Sequence, residues 1–235
     1  MKAFFFTNEK LASFLATDHF ANVNHVFGIG GGGDFAFNLL AFHAPKHIHL
    51  CDNHLAAILA IQKKMNLFTR LTHQDFLDFL LSQELKRING SDQYYPDSFK
   101  AIKQIHDYLP YLSSSEHYRT VQSRMSCIKM TQGDFTTELS KQHEPFDLIY
   151  LSNLLETKHC DPAAVLTACR SRLTEQGRIL FASQDSPKIV DRLMGENLFR
   201  RHAAEIHKFS TLQNILGHYS YSFYLYKPIH PHLPT

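Results

Sequence analysis

The sequence predicts an α/β fold built on a mostly parallel sheet. Short apolar runs alternate with amphipathic segments along the chain, and a glycine-rich stretch joins the first run to the first amphipathic segment. Alternation of this kind is typical of strands connected by helices that pack on the sheet. The predicted strands cover residues 25–29, 47–51, 126–130, 146–151, 178–182 and 219–226.

The segments after the first two strands predict helices over residues 34–43 and 53–68. The first segment is apolar enough to pack on the sheet. Asn53 is the predicted N-cap of the second helix, because its side chain can accept from the free N–H groups of the first turn. The side chains near helical spacing in that helix are Leu55, Ile58, Leu59, Gln62 and Met65.

Residues 66–125 interrupt the alternation, since no strand-like run occurs among them. Residues 73–88 predict a helix that ends at Asn89 and Gly90, and residues 98–109 predict another helix before Pro110. We therefore expect one domain, residues 1–235, with a helical insertion after the second strand. Such an insertion either overhangs the crevice where parallel sheets bind ligands or is a purely structural addition.

Composition narrows the functional classes. Lys and Arg number 24 and Asp and Glu number 22, so the net charge of +2 gives no reason to expect a nucleic-acid partner. No apolar run in the sequence reaches the length of about 18 residues that a membrane helix needs. The four cysteines show no paired spacing, which predicts reduced thiols and a cytoplasmic location.

The chain contains 16 histidines, but their arrangement does not predict a metal site. Neither HExxH nor CxxC occurs in the sequence, and these are spacings at which zinc ligands converge. His47 and His49 flank Ile48 in a predicted strand, where alternate residues share one face. We interpret this pair as lying at an edge, and the other histidines as scattered surface residues.

The glycine-rich stretch predicts a site for a nucleoside-containing cofactor. Such a run lets the backbone turn tightly and leaves no Cβ to block a ligand. The second strand ends at Asp52, about 20 residues later, where a carboxylate can accept from both hydroxyls of a ribose. Asn53 is counted with the same site, and the alternative is a flexible loop beside a solvated carboxylate. The glycines are Gly28, Gly30, Gly31, Gly32 and Gly33.

Polar residues also follow the third and fourth predicted strands. Asp134 and Phe135 have the chemistry to hold an adenine base, by a hydrogen bond and by stacking. Ser152 and Asn153 stand at the end of the fourth strand. Taken alone, Asp134 is better explained as a turn residue, and Asp147 in the same region as a residue at the start of a strand. The ordered set, in contrast, predicts one pocket along the carboxyl ends of the strands.

These features resemble class I S-adenosylmethionine-dependent methyltransferases over residues 23–185. The resemblance implies a Rossmann-like sheet of seven strands, mostly parallel with the last strand antiparallel, and S-adenosyl-L-methionine as the cofactor. This chain departs from the family at Gly28, where common members carry an acidic residue two positions before the first loop glycine. We expect Asp34 to replace that anchor in part.

A closer likeness is to the 3-amino-3-carboxypropyl transferases that build betaine-lipid headgroups. The likeness implies transfer of an aminocarboxypropyl group, whereas the broader resemblance implies transfer of a methyl group. The glycine at position 28, in place of the usual acidic residue, slightly favours aminocarboxypropyl transfer. The implied acceptor is a small molecule or a lipid headgroup. The matching residues are Gly32, Gly33, Asp34, Ala44, Pro45, Ser152 and Asn153.

Two other functions stay open from the sequence. The glycine loop and Asp52 also fit an NAD(P)-dependent oxidoreductase, although Asp134 and Ser152 favour the transferase. A methyltransferase-like protein that binds a nucleoside without turnover is the other alternative, because the usual acidic anchor is missing. The sequence does not identify the catalytic residues; Asn153 and Glu156 lie near the predicted transfer point.

Overall fold

A computed structural model of the chain describes residues 12–89, 109–158, 160–183, 187–197, 199–206 and 222–229. Seven strands within these residues form one sheet. They are β1 (His25–Ile29), β2 (His47–Asp52), β3 (Ile128–Gln132), β4 (Phe146–Tyr150), β5 (Leu173–Ser183), β6 (Phe199–Ile206) and β7 (Ser222–Pro228). Their order across the sheet is β3-β2-β1-β4-β5-β7-β6.

The sheet is parallel except at β7. Strands β3, β2, β1, β4 and β5 pair in parallel, and β7 runs antiparallel between β5 and β6. Parallel neighbours require crossover connections, which helices on the two faces provide. The five parallel strands therefore end along one side of the sheet, which we call the carboxyl edge. The predicted fold class, with its antiparallel last strand, is confirmed.

Helices cover both faces of the sheet. The first layer comprises α1 (Ala12–Leu15), α2 (Asp34–Phe42), α3 (Leu55–Phe68), α4 (His73–Asn89) and α5 (Ser115–Arg124). The second layer comprises α6 (Phe135–Ser140), α7 (Pro162–Arg172) and α8 (Pro187–Glu196). Within the described residues, no helix is long and apolar enough to cross a membrane.

The first layer is organised around α2, in which eight of nine residues are buried. A helix with nearly all of its side chains buried must be covered on all sides. The sheet covers one side, where the Phe35 ring stacks on Tyr150 of β4 with 3.9 Å between centroids. On another side, Phe37 packs with Phe68 and Tyr111 at 5.2 and 5.5 Å. The described parts of residues 66–125 thus contribute to the same core as the sheet.

Several strand boundaries differ from the prediction. β3 begins at residue 128, because residues 125–127 form a 3-10 turn directly after α5. β5 begins at residue 173 instead of 178. β6 has no predicted counterpart, since its sequence FRRHAAEI shows no alternation of apolar and polar residues. The predicted last strand is found as β7, which is described from residue 222 onward.

The predicted start and buried face of α3 are also corrected. The N-cap position is His54, not Asn53, and the His54 N–H donates to the Asp52 carboxylate at 2.9 Å. No side chain caps the first turn of α3, where Ala57 N–H donates to the His54 carbonyl at 3.0 Å. Leu55 and Leu59 are each 52% exposed. The buried residues of α3 are Ile58, Ala60, Ile61, Lys64 and Phe68.

The interpretation of His47 and His49 as an edge pair is wrong for His49. β2 lies between β1 and β3, so the His49 side chain is enclosed, whereas His47 is exposed. The His49 ring bonds with Gln142 Oε1 at 3.2 Å and with Thr131 Oγ1 at 2.9 Å. Burial lowers the pKa of His49, which favours the neutral ring.

The helix predicted for residues 98–109 lies outside the described residues except at its end. Leu109 is described, and it precedes a 3-10 turn, Pro110–Leu112, that packs against α2 and α5. This turn brings Tyr111 under the start of α2, where its ring is fully buried.

We expect Gly177→Ala to destabilise the sheet. A Cβ there would lie 2.7 Å from the Phe146 carbonyl oxygen of β4 and 2.9 Å from Thr174 N of β5, so backbone atoms would have to shift. The expected loss in the free energy of unfolding is about 1–3 kcal/mol, measured by urea unfolding. Gly195→Ala in α8 is the control, because a Cβ there meets nothing within 4 Å. Equal stability of the two variants would contradict this packing.

Candidate active site

The turn between β1 and α2 is fixed to the end of β2 through its glycine backbone. Gly30 N–H donates to Cys51 O at 2.8 Å, and Gly31 N–H donates to Asp52 Oδ2 at 2.9 Å. Gly33 N–H donates back to Gly30 O at 2.8 Å, which closes a tight turn. The two neighbouring strand ends are therefore joined at the carboxyl edge.

Two of these glycines adopt backbone conformations that other residues rarely take. The φ angles are +49° at Gly31 and +82° at Gly33, both in the left-handed region. Gly33 also occupies the N-cap position of α2. At Gly30 the constraint is space, since a Cβ would lie 3.2 Å from the Asp52 Cβ. The glycine run is thus required by the turn itself.

Asp52 is buried at the end of β2, and both of its carboxylate oxygens contact backbone. Oδ2 accepts from Gly31 N–H and Oδ1 accepts from His54 N–H, each at 2.9 Å. A carboxylate has about four lone-pair positions, so both oxygens can accept further hydrogen bonds from ligand hydroxyls. Asn53 beside it is exposed, and its carbonyl accepts from Gln132 Nε2 at 3.5 Å. The two backbone contacts fix the direction of the Asp52 carboxylate.

Three polar side chains form a buried group beneath the loop, which we call the Asp34 cluster: Asp34, Lys64 and Tyr111. The Lys64 ammonium donates to Asp34 Oδ1 and to Gly32 O, each at 2.8 Å. The Tyr111 hydroxyl donates to the same Asp34 oxygen at 2.8 Å. The side chains of Asp34 and Lys64 have no solvent exposure. The loop is therefore held from the interior as well as from β2.

Burial shifts the pKa values of Lys64 and Tyr111. Desolvation lowers the pKa of Lys64, and the charge of Asp34 and its hydrogen bond oppose that shift. Desolvation raises the pKa of Tyr111 well above its ordinary value, and the Asp34 charge adds to this increase. The Tyr111 hydroxyl therefore stays protonated and remains a donor to Asp34.

Asp134 follows β3 and caps α6. Its Oδ1 accepts from Thr137 N–H at 2.9 Å and from the Thr136 hydroxyl at 2.7 Å. These hydrogen bonds lower the pKa of the Asp134 carboxyl. The preceding Gly133 N–H donates to Asp52 O at 3.0 Å, so this turn adjoins the end of β2. An exposed, ionised carboxylate thus lies next to the turn that adjoins the end of β2.

Two side chains next to this turn belong to the core. The Phe135 ring is buried and packs edge-on against Phe27, with 5.2 Å between centroids. The Cys51 thiol donates to Gly133 O at 3.2 Å, and burial raises its pKa to about 12. Because the thiolate is the reactive form of cysteine, Cys51 is not a nucleophile at neutral pH.

The chain leaves β4 through Ser152, whose φ is +49°. This conformation is uncommon for serine and persists only where neighbouring structure supports it. The support comes from Ala182 N–H, which donates to Ser152 O at 2.8 Å, and from Leu154 N–H, which donates to Leu151 O at 2.9 Å. The strained turn places Asn153 at the surface of the carboxyl edge.

Glu156 lies between the ends of β4 and β5. It ends the 3-10 turn Leu154–Glu156, and its Oε1 accepts from the Ser183 hydroxyl at 2.5 Å. Ser183 is the last residue of β5 and is buried, whereas Glu156 is exposed. The hydroxyl therefore holds an exposed carboxylate at the carboxyl edge.

Gly28 lies within β1 and not in the loop. It pairs with Tyr150 of β4, and a Cβ at Gly28 would lie 3.1 Å from the Tyr150 Cβ. An acidic side chain at this position would press on Tyr150, whose ring is already stacked on Phe35. Packing between β1 and β4 therefore accounts for the glycine.

The structure brings most of the predicted site residues to one edge. The glycine loop, Asp52 and the turn at Gly133 are joined by direct hydrogen bonds. Pairing of β1 with β4 places Ser152 at the next strand end. Three predicted residues lie apart from this surface. Gly28 lies within β1, Asp34 lies in the buried Asp34 cluster, and Phe135 lies in the core.

Sequence reasoning missed Lys64 and Tyr111. Lys64 follows the buried Ile58 and Ile61 at intervals of three residues, and this spacing is the only signal that places it on the inner face of α3. Tyr111 is 77 positions from Asp34 in the chain, and no local pattern predicts their contact.

The sequence matches a family model described as a methyltransferase domain over residues 96–219, slightly more than half of the chain. The chain belongs to this methyltransferase domain family. Among curated proteins, none matches the sequence.

Solved methyltransferases share the fold. The ribosomal protein L11 methylase of Lactobacillus delbrueckii subsp. bulgaricus is 14% identical, with a TM-score of 0.51 over 96% of this chain and 82% of that chain. The N-methyltransferase NodS of Bradyrhizobium japonicum WM9 is 11% identical, with a TM-score of 0.53 over 93% of each chain. NodS in complex with S-adenosyl-L-homocysteine gives a TM-score of 0.51 at 12% identity, over 89% of this chain and 80% of that chain.

We expect Asp134→Ala to lower the free energy of unfolding by about 1 kcal/mol at pH 7, because it removes the N-cap of α6. Asp134→Ser is the control, since its hydroxyl can accept from Thr137 N–H. The folded pKa of Asp134 is lowered from 3.8. The stability that the ionised Asp134 carboxylate contributes is therefore fully present above pH 3.8 and is lost as the pH falls through the folded pKa. Urea unfolding across this range tests the cap, and equal losses in both variants would refute it.

Proposed function

We propose that this protein binds S-adenosyl-L-methionine at the carboxyl edge and transfers its methyl group to a small-molecule acceptor. One observation carries the proposal: the glycine loop and the Asp52 carboxylate are bonded together at neighbouring strand ends. The membership of the methyltransferase domain family supports the reaction class. Helix α2 begins directly behind the loop, so polar groups of a ligand would meet the positive end of its dipole.

The residues at this edge fit an adenosine-containing cofactor. Asp52 is oriented by two backbone bonds and can accept from ribose hydroxyls. A Cβ at Gly31 would meet nothing within 4 Å, so the outer surface of the loop is open. Asn53, which follows Asp52, and Asp134, which follows the turn bonded to the Asp52 carbonyl, are exposed and would contact the ribose and the base. The cofactor would supply a sulfonium whose methyl group is electrophilic.

The end of β4 would position the acceptor. Methyl transfer to a nucleophile depends mainly on holding donor and acceptor in line, so proximity supplies much of the rate. Ser152 and Asn153 lie one strand away from the glycine loop. Glu156, held by Ser183, would accept a proton from an amine or hydroxyl acceptor. This role follows from an exposed carboxylate at the edge where the strands end.

Methyl transfer is preferred here to aminocarboxypropyl transfer. The glycine at position 28 favours aminocarboxypropyl transfer in the sequence, and the packing of Gly28 on Tyr150 supplies a separate reason for that glycine. A lipid headgroup stays a second acceptor class, and the cytoplasmic location stays a prediction. An oxidoreductase is disfavoured because β7 lies antiparallel between β5 and β6, unlike the strand order of dinucleotide-binding sheets.

S-adenosylhomocysteine is expected to raise the melting temperature, and NAD is expected to leave it unchanged, because a ligand selective for the folded state stabilises it.

Asp52→Ala should weaken the affinity for S-adenosylhomocysteine by more than about tenfold, as charge-assisted hydrogen bonds contribute roughly 1.5–3 kcal/mol. Asp147→Ala is the matched control: its carboxylate also accepts two backbone N–H groups, from Asn24 and His25, at the opposite edge.

Calorimetry with S-adenosylhomocysteine measures the affinity of wild type, Asp52→Ala and Asp147→Ala. Equal loss of affinity in both variants would remove Asp52 from the pocket. A melting shift with NAD and none with S-adenosylhomocysteine would overturn the transferase proposal.

The released nucleoside identifies the transferred group. Methyl transfer releases S-adenosylhomocysteine, whereas aminocarboxypropyl transfer releases methylthioadenosine. We expect acceptor-dependent S-adenosylhomocysteine when labelled S-adenosylmethionine is supplied with panels of small amines, small hydroxyl compounds and lipid headgroups, with mass spectrometry as the readout. Acceptor-dependent release of methylthioadenosine would contradict methyl transfer and show that the enzyme transfers the aminocarboxypropyl group.

A further inference from the structure

We infer that Lys64 and Tyr111 are positioning residues for the cofactor loop, acting through Gly32 and Asp34. The inference rests on the proposed function, because it requires the cofactor to bind at the glycine loop. Both side chains are fully buried and lie behind the loop, so they would influence binding by fixing the backbone that a ligand contacts.

A loop of consecutive glycines has an unusual amount of backbone freedom to lose when it is ordered. Hydrogen bonds to β2 and within the turn hold Gly30, Gly31 and Gly33. The Gly32 carbonyl is held differently, by the Lys64 ammonium of α3 at 2.8 Å. Two side chains of opposite charge thus bind successive residues of the loop. The Asp52 carboxylate accepts from Gly31 N–H, and the Lys64 ammonium donates to Gly32 O.

The rest of the cluster determines where Lys64 can point. A buried ammonium is strongly disfavoured unless it is paired and hydrogen-bonded. Asp34 Oδ1 supplies the pairing at 2.8 Å, and the Tyr111 hydroxyl donates to that same oxygen at 2.8 Å. Asp34 is the first residue of α2, so its negative charge lies at the positive end of the helix. Tyr111 orients Asp34, Asp34 holds Lys64, and Lys64 fixes Gly32.

Packing alone does not explain a lysine at this position. Its neighbours on the inner face of α3 are Ile58, Ile61 and Phe68, and an apolar side chain there would avoid burying a charge. The hydrogen bond to Gly32 O is what lysine adds and an apolar residue cannot supply. We therefore assign the cluster to the loop and not to the stability of the core.

The chain contains a matched comparison for Tyr111. Tyr118 is also buried and also packs on Phe68, but its hydroxyl donates to Leu71 O at 3.1 Å, away from the glycine loop. Tyr111→Phe and Tyr118→Phe each remove one buried hydroxyl from the same core. A merely structural role would make the two variants behave alike toward a ligand.

The test compares full-length wild type, Tyr111→Phe and Tyr118→Phe by calorimetry with S-adenosylhomocysteine and by amide hydrogen exchange without ligand. We expect Tyr111→Phe to raise the dissociation constant by about fivefold or more and to accelerate exchange at Gly31 and Gly32, because one member of a charge-assisted network is lost. Tyr118→Phe is expected to change neither by more than about twofold.

The outcomes separate this inference from the proposed function. If wild type does not bind S-adenosylhomocysteine, the proposed function fails. If wild type binds and the two tyrosine variants have the same affinity as each other, the positioning role is refuted and the proposed function stands. Asp34→Asn provides a second test with nearly unchanged shape: it removes the charge that holds Lys64, and an unaltered affinity in that variant would also refute the role.

Discussion

The Asp52 carboxylate joins the starts of two helices to the end of one strand. It accepts from Gly31 N–H before α2 and from His54 N–H before α3. Because both helices leave the carboxyl edge from points that one side chain fixes, their axes over the sheet are constrained together. Phe37 of α2 and Ile61 of α3 then meet beside Gly33, where a Cβ would lie 3.1 Å from the Phe37 ring. The first core layer and the candidate cofactor surface depend on the same contact.

The alternation of apolar runs and helical segments predicts most of this fold because the parallel strands are largely buried and therefore rich in apolar residues. The signal fails where that condition fails. β6 lies at the outer edge of the sheet and carries Arg200 and Arg201 in succession. The start of α3 is mispredicted for a different reason: the chain stays extended through His54, whose N–H donates to Asp52, and no side chain caps the first turn.

Within the candidate site, the glycines and Asp52 are predictable because few other residues meet their requirements. A φ of +49° or +82° selects glycine, and paired backbone N–H groups select a carboxylate. Asp134 and Phe135 are less predictable, since the same residue types serve a helix cap and a core contact. Lys64 cannot be placed by periodicity alone, because a charged residue is ordinarily assigned to solvent.

The missing acidic residue at Gly28 and the buried Asp34 are two parts of one arrangement. A side chain in β1 at Gly28 would crowd Tyr150, whose ring stacks on Phe35. Phe35 and Asp34 are successive residues of α2, so a single helical turn packs one side chain on the sheet and aims the next at α3. The negative charge of Asp34 therefore lies on the interior side of the loop. This leaves the outer side of the loop to backbone groups and Asp52, which suits a ligand recognised through its ribose and through contacts with the main chain.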